Sequence, residues 1–378
     1  TERDVTDIMT MLFGTPDEPH LPELVLRSLP SEQLDMELLE IAAGPVRNDV
    51  DGRSLGLYRR NCAHCHGFSG DGAGPAAAFM TPYPRDFRAG VFKFKSTPTG
   101  RKPTHSDLRR VIESGIPGTA MPAYGRLPEE ELESLVQYVI YLSIRGEVER
   151  ALIFESANEL DPGDRLVESS LENATLDDLP EEPLELIQMI LFEVAEKWSE
   201  APSLVTNVPE RPADWDLVAS VKRGRELFLG DVANCAECHG ETAEGDGQTE
   251  DFDDWAREID PTNPRAVREY LELGALPPRA TRPRNLRLGV YSGGGRPEDL
   301  FCRLKNGIDG TPMPGVLWKP DDAPPEQKAL TTEDIWNLVD YVMSLPAESE
   351  EQSAAELARR QREGASAEED VSRSATGG

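Results

Sequence analysis

Apolar side chains recur at Leu132, Leu135, Val136 and Val139 in one stretch of the chain, and at Ile335, Leu338, Val339 and Val342 in another. Spacings of three and four put each set on one face, so residues 130–143 and 333–346 are predicted to be amphipathic helices. The segment 180–200, PEEPLELIQMILFEVAEKWSE, predicts a third, SEQLDMELLEIA a helical piece near the start, and PRAVREYLELG a short helix later on. No apolar run approaches the roughly 20 residues that a membrane-spanning helix needs. The best candidate, LIQMILFEVAEKW, is interrupted by Glu193 and Glu196.

The two strongest helices close a repeat. SLGLYRRNCAHCHG (54–67) answers to GRELFLGDVANCAECHG (224–240), each with an aromatic, Tyr58 or Phe228, ahead of the cysteines. PRDFRAGVF (84–92) answers to PRNLRLGVY (283–291), and DLRRVIESGIPGTAMP (107–122) to DLFCRLKNGIDGTPMP (299–314). The same programme is written twice, in the same order.

The chain has 378 residues, enough for two or three domains, yet it is only 38% hydrophobic and 6% aromatic, with 31 Gly and 31 Pro. Either something other than side chains fills part of the core, or much of the chain is loop and tail. A net charge of −31 argues against a nucleic-acid partner and an anionic membrane surface, and suits either basic partners or a strongly solvated surface. The sequence starts at Thr1, which raises the expectation of a signal peptide or anchor ahead of it.

Four of the five cysteines, Cys62, Cys65, Cys235 and Cys238, fall into two C-x-x-C-H words completed by His66 and His239. A disulfide framework fits poorly with local pairs in a long chain. A zinc ribbon would need two pairs that converge, and here the pairs are far apart, each with its own histidine. C-x-x-C-H is the spacing of c-type haem attachment: two thiols form thioethers to one porphyrin, and the next residue offers a nitrogen to the iron. Two covalently bound haem c groups are therefore expected.

The whole pattern resembles class I cytochrome c, twice, over roughly 50–146 and 217–347. That resemblance implies a mainly α fold, each domain a small helical cup around one haem with its first and last helices crossing. It also implies a sixth ligand from the methionine of a G-x-x-G-T-x-M-P loop, here Met121 and Met313. Thioether sulfur favours reduced iron and raises the potential. Gly115, Gly118, Gly307 and Gly310 allow tight turns there, and Pro122 and Pro314 stiffen the backbone after each methionine. The resemblance places Pro84 and Pro283 beside the ligating histidines, with Phe87 and Leu286 on the porphyrin. Arg85 and Arg284 become candidates for the haem propionates, or else ordinary surface charges. The metal ligands implied are thus His66, Met121, His239 and Met313. Among the other histidines, His64 reads as a solvent-facing spacer, His105 as part of a helix start and His20 as a loop residue. Cys302, where the first repeat has Arg110, reads as a structural thiol.

Two departures stand out. Gly224 lies four before Phe228, where the family needs a close helix crossing, whereas the first repeat has Ser54 there, with Gly52 and Gly56 nearby. A long insertion separates the second haem word from its Pro-Arg loop, and it either covers the haem, faces a partner or decorates the surface.

The organisation expected is a helical N-terminal extension (1–49), cytochrome domain 1 (50–146), an acidic, partly helical connector (147–216) docked between the domains, cytochrome domain 2 (217–347) and a disordered tail (348–378). The extension either packs on the first domain or binds a partner. The function expected is one-electron transfer between a respiratory or dehydrogenase donor and a downstream acceptor, with no catalytic residues. Redox proteins with basic docking surfaces are the expected partners, in a larger complex that includes a membrane one or an anchor outside this sequence. The alternative is a dihaem peroxidase or a thiosulfate dehydrogenase-like enzyme. Haem attachment places the mature protein in the periplasm or an equivalent extracytoplasmic compartment.

Overall fold

The computed structural model describes residues 2–29, 34–159, 165–167, 175–247, 251–253, 256–257, 259–320, 323–324 and 327–347. The expected tail, 348–378, lies outside them.

The described residues are mainly helical, with two short antiparallel pairs. In chain order the helices are α1 (Glu2–Phe13), α2 (Glu23–Ser28), α3 (Met36–Ala42), α4 (Leu57–Asn61), α5 (Ala63–His66), α6 (His105–Ser114), α7 (Glu129–Glu159), α8 (Glu181–Glu200), α9 (Leu217–Leu229), α10 (Cys235–His239), α11 (Pro264–Glu272), α12 (Pro297–Asn306) and α13 (332–347). β1 (Arg47–Asn48) pairs with β2 (Ser54–Leu55), and β3 (Asp251–Phe252) with β4 (Ala280–Thr281).

The periodic segments behave as their spacing requires. Leu132, Leu135, Val136 and Val139 are buried along α7, and Ile335, Leu338, Val339 and Val342 along α13. Each closing helix meets the aromatic that precedes its haem word: Tyr58 and Tyr138 have ring centroids 4.9 Å apart, and Phe228 and Tyr341 5.3 Å apart. These pairs mark the helix crossing in each half.

Around those crossings sit two separate cores. The first takes in the extension as well as residues 57–152: Ile8, Met9 and Phe13 of α1, Val25 of α2 and Leu39 and Ile41 of α3 are buried with α7. α7 runs on without a break past residue 146. The connector helix α8 joins the same core, because Ile187, Leu191, Val194 and Trp198 form its apolar face and are buried there. Trp198 anchors it, meeting Phe92 edge-on at 6.3 Å and donating from Nε1 to Glu147 at 2.9 Å. Lys102 pairs with the same buried carboxylate.

It is the extended stretch after α8, not α8 itself, that runs between the halves. Thr206 takes a backbone bond from its N–H to Ser96 O at 2.9 Å and donates its hydroxyl to Asn306. Pro209 then accepts from Trp336 Nε1, and Arg211 pairs at 2.6 Å with Asp340. Asp340 is buried on α13 and also accepts from Trp215 Nε1 and Ser220 Oγ, which ties α9 to α13 in the second core.

The insertion of the second half clasps the first domain. The Arg279 guanidinium donates to the carbonyls of Met80 and Ala78 and to Thr81 Oγ1, and lies 4.2 Å over the Tyr83 ring. Tyr83 donates back to Pro277 O at 3.0 Å, and Lys93 pairs with Asp253 at 2.6 Å.

Candidate functional site: two cysteine–histidine turns and two methionine loops

Cys62, Cys65 and His66 stand at i, i+3 and i+4 across a single turn, closed by backbone bonds from Cys65 N and His66 N to Cys62 O at 3.0 and 2.9 Å. Residues at that spacing share one helical face, so both thiols and the imidazole are offered to the same side. Cys235, Cys238 and His239 repeat the turn in α10. Asn234 opens it at φ 48°, a left-handed conformation that asparagine tolerates better than most residues. Gly67 and Gly240 end the two turns at φ 74° and 76°.

Each imidazole is held by its far nitrogen. His66 Nδ1 donates to Arg85 O at 2.9 Å, and His239 Nδ1 to Arg284 O at 3.1 Å. A carbonyl can only accept, so Nδ1 carries the proton and Nε2 keeps its lone pair for a ligand. The acceptor is one residue beyond the expected proline. The Pro84 and Pro283 carbonyls are instead turned onto Gly72 and Gly245, where an added Cβ would stand 2.7 and 2.3 Å from them. Burial lowers the pKa of both histidines against the opposing carbonyl bond, so both are neutral at pH 7. Phe87 stacks on the His66 ring at 4.5 Å, as a support behind the imidazole.

Burial pushes the Cys62 thiol up to about 12 and the Cys235 thiol up to about 11, and raises Cys65 and Cys238 as well. Thiols of that kind stay protonated at neutral pH and are poor thiolate ligands for a metal ion. Among the described residues no three His, Cys, Asp or Glu side chains converge as a site for a bare metal ion.

The methionine loops are near-copies. Ile116 N donates to Met121 O at 3.2 Å, and Ile308 N to Met313 O at 3.0 Å. Thr119 Oγ1 reaches Ile116 O at 2.8 Å, and Thr311 Oγ1 reaches Ile308 O at 2.7 Å. The same two hydroxyls accept from the backbone of Met121 and Met313. Gly115 and Gly307 sit at φ 66° and 78° against the Met121 and Met313 carbonyls, where an added Cβ would lie within 2.8 and 2.9 Å. Both methionines are half-buried.

The remaining candidates lie elsewhere. His64 and His20 are exposed. His105 opens α6 beside its Thr104 cap and contacts Glu133 at 2.6 Å. Cys302 is half-buried on α12, where burial and the nearby Asp107 and Asp299 carboxylates push it up to about 11.

Two thiols and an imidazole on one turn, the imidazole with one nitrogen committed, beside a glycine-bounded thioether loop, all present twice, suit a covalently attached porphyrin. The class this fold and donor set define is the c-type haem protein. Residues 53–139 match the family model described as cytochrome c oxidase, cbb3-type, subunit III, and residues 221–346 match the model described as cytochrome c. The chain is thus a dihaem c-type cytochrome with two cytochrome c-type domains in tandem, whose cofactors are covalently bound haem c and whose role is electron transfer. A chain of the Kuenenia stuttgartiensis reducing HAO-like protein complex Kustc0457/Kustc0458 is similar in structure. Its TM-score is 0.48 at 24% identity, over 80% of this chain and 98% of that one. No curated protein is significantly similar. Among the described residues no helix is long and apolar enough to cross a membrane.

Sequence reasoning missed the clasp of Arg279 and the buried Lys102–Glu147–Trp198 group, since single residues in loops carry no periodic signal. It found the Pro-Arg words by their repetition, but not that the arginine's backbone is what holds the histidine.

Proposed function

We propose that this protein relays single electrons between a respiratory or dehydrogenase donor and a downstream acceptor, as a subunit or partner of a larger extracytoplasmic redox complex. The observation that carries the reading is the equality of the two sites: each has a histidine with Nε2 available and a pinned methionine loop. In this reading Cys62, Cys65, Cys235 and Cys238 would tether the porphyrins, His66 and His239 would offer a nitrogen to each iron, and Met121 and Met313 would offer a sulfur. Pro84, Arg85, Pro283 and Arg284 form the loops that brace the histidines. Haem iron, when bound, supplies reversible one-electron chemistry.

The chain's own part is to hold both axial donors still. The Arg85 and Arg284 carbonyls fix the ring planes, and burial keeps the imidazoles neutral. The hydroxyl-braced loops keep each sulfur in place whichever oxidation state the iron is in, so little has to reorganise. With a nitrogen and a sulfur both engaged, each iron would have no position left for a substrate. The surplus of acid over base, 70 Asp and Glu against 39 Lys and Arg, favours basic partners whose association weakens with salt. Thioether attachment is completed outside the cytoplasm, which supports a periplasmic setting.

The test mixes ferrous holoprotein with carbon monoxide, and ferric holoprotein with peroxide or thiosulfate. No adduct and no turnover are expected, together with fast electron exchange with a small basic redox protein that slows as ionic strength rises. A carbon monoxide adduct at one haem, or turnover, returns the peroxidase or thiosulfate dehydrogenase reading. An exchange rate flat in salt removes charge-guided docking.

A further inference from the structure

The two halves meet through the very loops that serve the haems, and they meet reciprocally. An added Cβ on Gly118, in the first methionine loop, would stand 2.6 Å from Arg284 Nη1 and 3.2 Å from Val290 of the second domain. An added Cβ on Gly310, in the second loop, would stand 3.3 Å from Arg85 Nη1 and 3.5 Å from Val91 of the first domain. Arg85 and Arg284, and Val91 and Val290, hold the same places in the repeated Pro-Arg words. The contact is therefore a local two-fold exchange, and a side chain at either glycine would crowd it.

Neighbouring groups fasten the same surfaces. Ser292 Oγ donates to Pro117 O at 2.9 Å, next to Gly118. Asp309, next to Gly310, pairs with Lys95 at 2.6 Å and accepts from Gly100 N at 3.0 Å. The Lys95 and Asp309 side chains are 4% and 10% exposed, so the pair is buried in the joint rather than spread on its rim.

Each arginine thus has two attachments. Its carbonyl takes the proton-bearing nitrogen of its own domain's histidine, and its guanidinium lies on the methionine loop of the other domain, three residues ahead of the sulfur. Resting on the reading of Met121 and Met313 as ligands, we propose that Arg85 and Arg284 are positioning residues that act in trans. Arg85 steadies the Met313 loop and Arg284 the Met121 loop, so each domain sets part of the axial geometry and potential of its neighbour's haem. A planar, permanently charged fork suits that place better than a flexible ammonium.

Arg85→Gln and Arg284→Gln test this, because both keep the backbone carbonyl and remove the guanidinium. The full haem-loaded chain is titrated spectroelectrochemically. The two haems are told apart by the methionine methyl NMR lines of the reduced protein, assigned by the set that disappears in Met121→Ala and the set that disappears in Met313→Ala. Arg85→Gln is expected to shift the Met313 lines and that haem's midpoint more than those of Met121. Arg284→Gln is expected to give the mirror image. Arg85→Lys carries the same comparison should the glutamine variant mature poorly, with a smaller shift on the same side. If Arg85→Gln moves chiefly its own domain's haem, as a propionate contact would, or moves neither, action in trans is overturned while the ligand reading stands. If the alanine variants remove no methyl lines, the ligand reading falls and this proposal falls with it.

Discussion

The two domains carry near-identical haem equipment on unlike supports. In the second, α9 is a full helix of 13 residues, and Gly224 lets it touch α13: an added Cβ there would stand 1.9 Å from Asn337 O. In the first, the corresponding helix α4 has only 5 residues, and Ser54 lies in a short strand, not on a helix. The lost packing is recovered from outside the repeat, by α1 and α3 of the extension against α7 and by α8 against both α7 and α2. The second domain supports itself largely through a backbone-to-backbone crossing; the first is supported by borrowed helices. The lesson is that the haem-facing turns are fixed by chemistry, whereas whatever fills the space behind them is free to change.

That contrast can be broken from either side. The largest effect is expected from Trp198→Ala, which removes the anchor of a borrowed helix. It should cost the first domain about 4 kcal/mol, as buried Trp truncations do, and calorimetry should show the second domain's transition little moved. An equal fall in both transitions would mean that the cores are not separate.

Next is Lys102→Met, which strands the buried Glu147 carboxylate and should cost about 3 kcal/mol, most of it recovered in Lys102→Met/Glu147→Leu. The pH dependence has a definite sign. Burial raises the pKa of Glu147 in the fold, against the pull of Lys102. The folded state therefore holds this proton more tightly than the unfolded chain. The deficit of Lys102→Met should be full above the raised pKa and shrink as pH falls through it, which denaturant melts across the acid range would show. A deficit that grows on acidification would contradict the assignment.

A smaller loss, about 2 kcal/mol from overpacking, is expected for Gly224→Ala in the second domain. Ser54→Ala in the first should stay within about 0.5 kcal/mol. Comparable losses would show that the two crossings are alike after all. The least effect has the opposite sign. Ala243 is fully buried at φ 62°, where the first domain has Gly70 at φ 78°. Ala243→Gly relieves a left-handed strain of about 1–2 kcal/mol and gives up a buried methyl worth about 0.8 kcal/mol. A small net gain in the second domain's melting temperature should result.

Much of the site was legible because its chemistry demands fixed spacing. Two thiols and an imidazole need one helical turn, and the methionine loop needs glycines and a threonine, so Cys62 to His66 and Gly115 to Pro122 could be read as words. The closing helices were legible through Leu135 and Leu338 because a buried stripe must recur every three to four residues. The supports were not. From the sequence α8 was expected between the domains, and α3 either on the first domain or on a partner, since an apolar face says that a helix must be covered but not by what. The clasp at Arg279 and the crossing-over of Arg85 and Arg284 depend on how two domains dock, and no local pattern encodes that.

The most direct test is the near-infrared absorption of the fully oxidised, matured protein, normalised to its haem content by the pyridine haemochrome assay. Two haems per chain, with the sulfur-to-ferric-iron band at the intensity of two methionine-ligated centres, is the result predicted. A single haem, or a band at half that intensity, would contradict the description of two equivalent histidine–methionine sites.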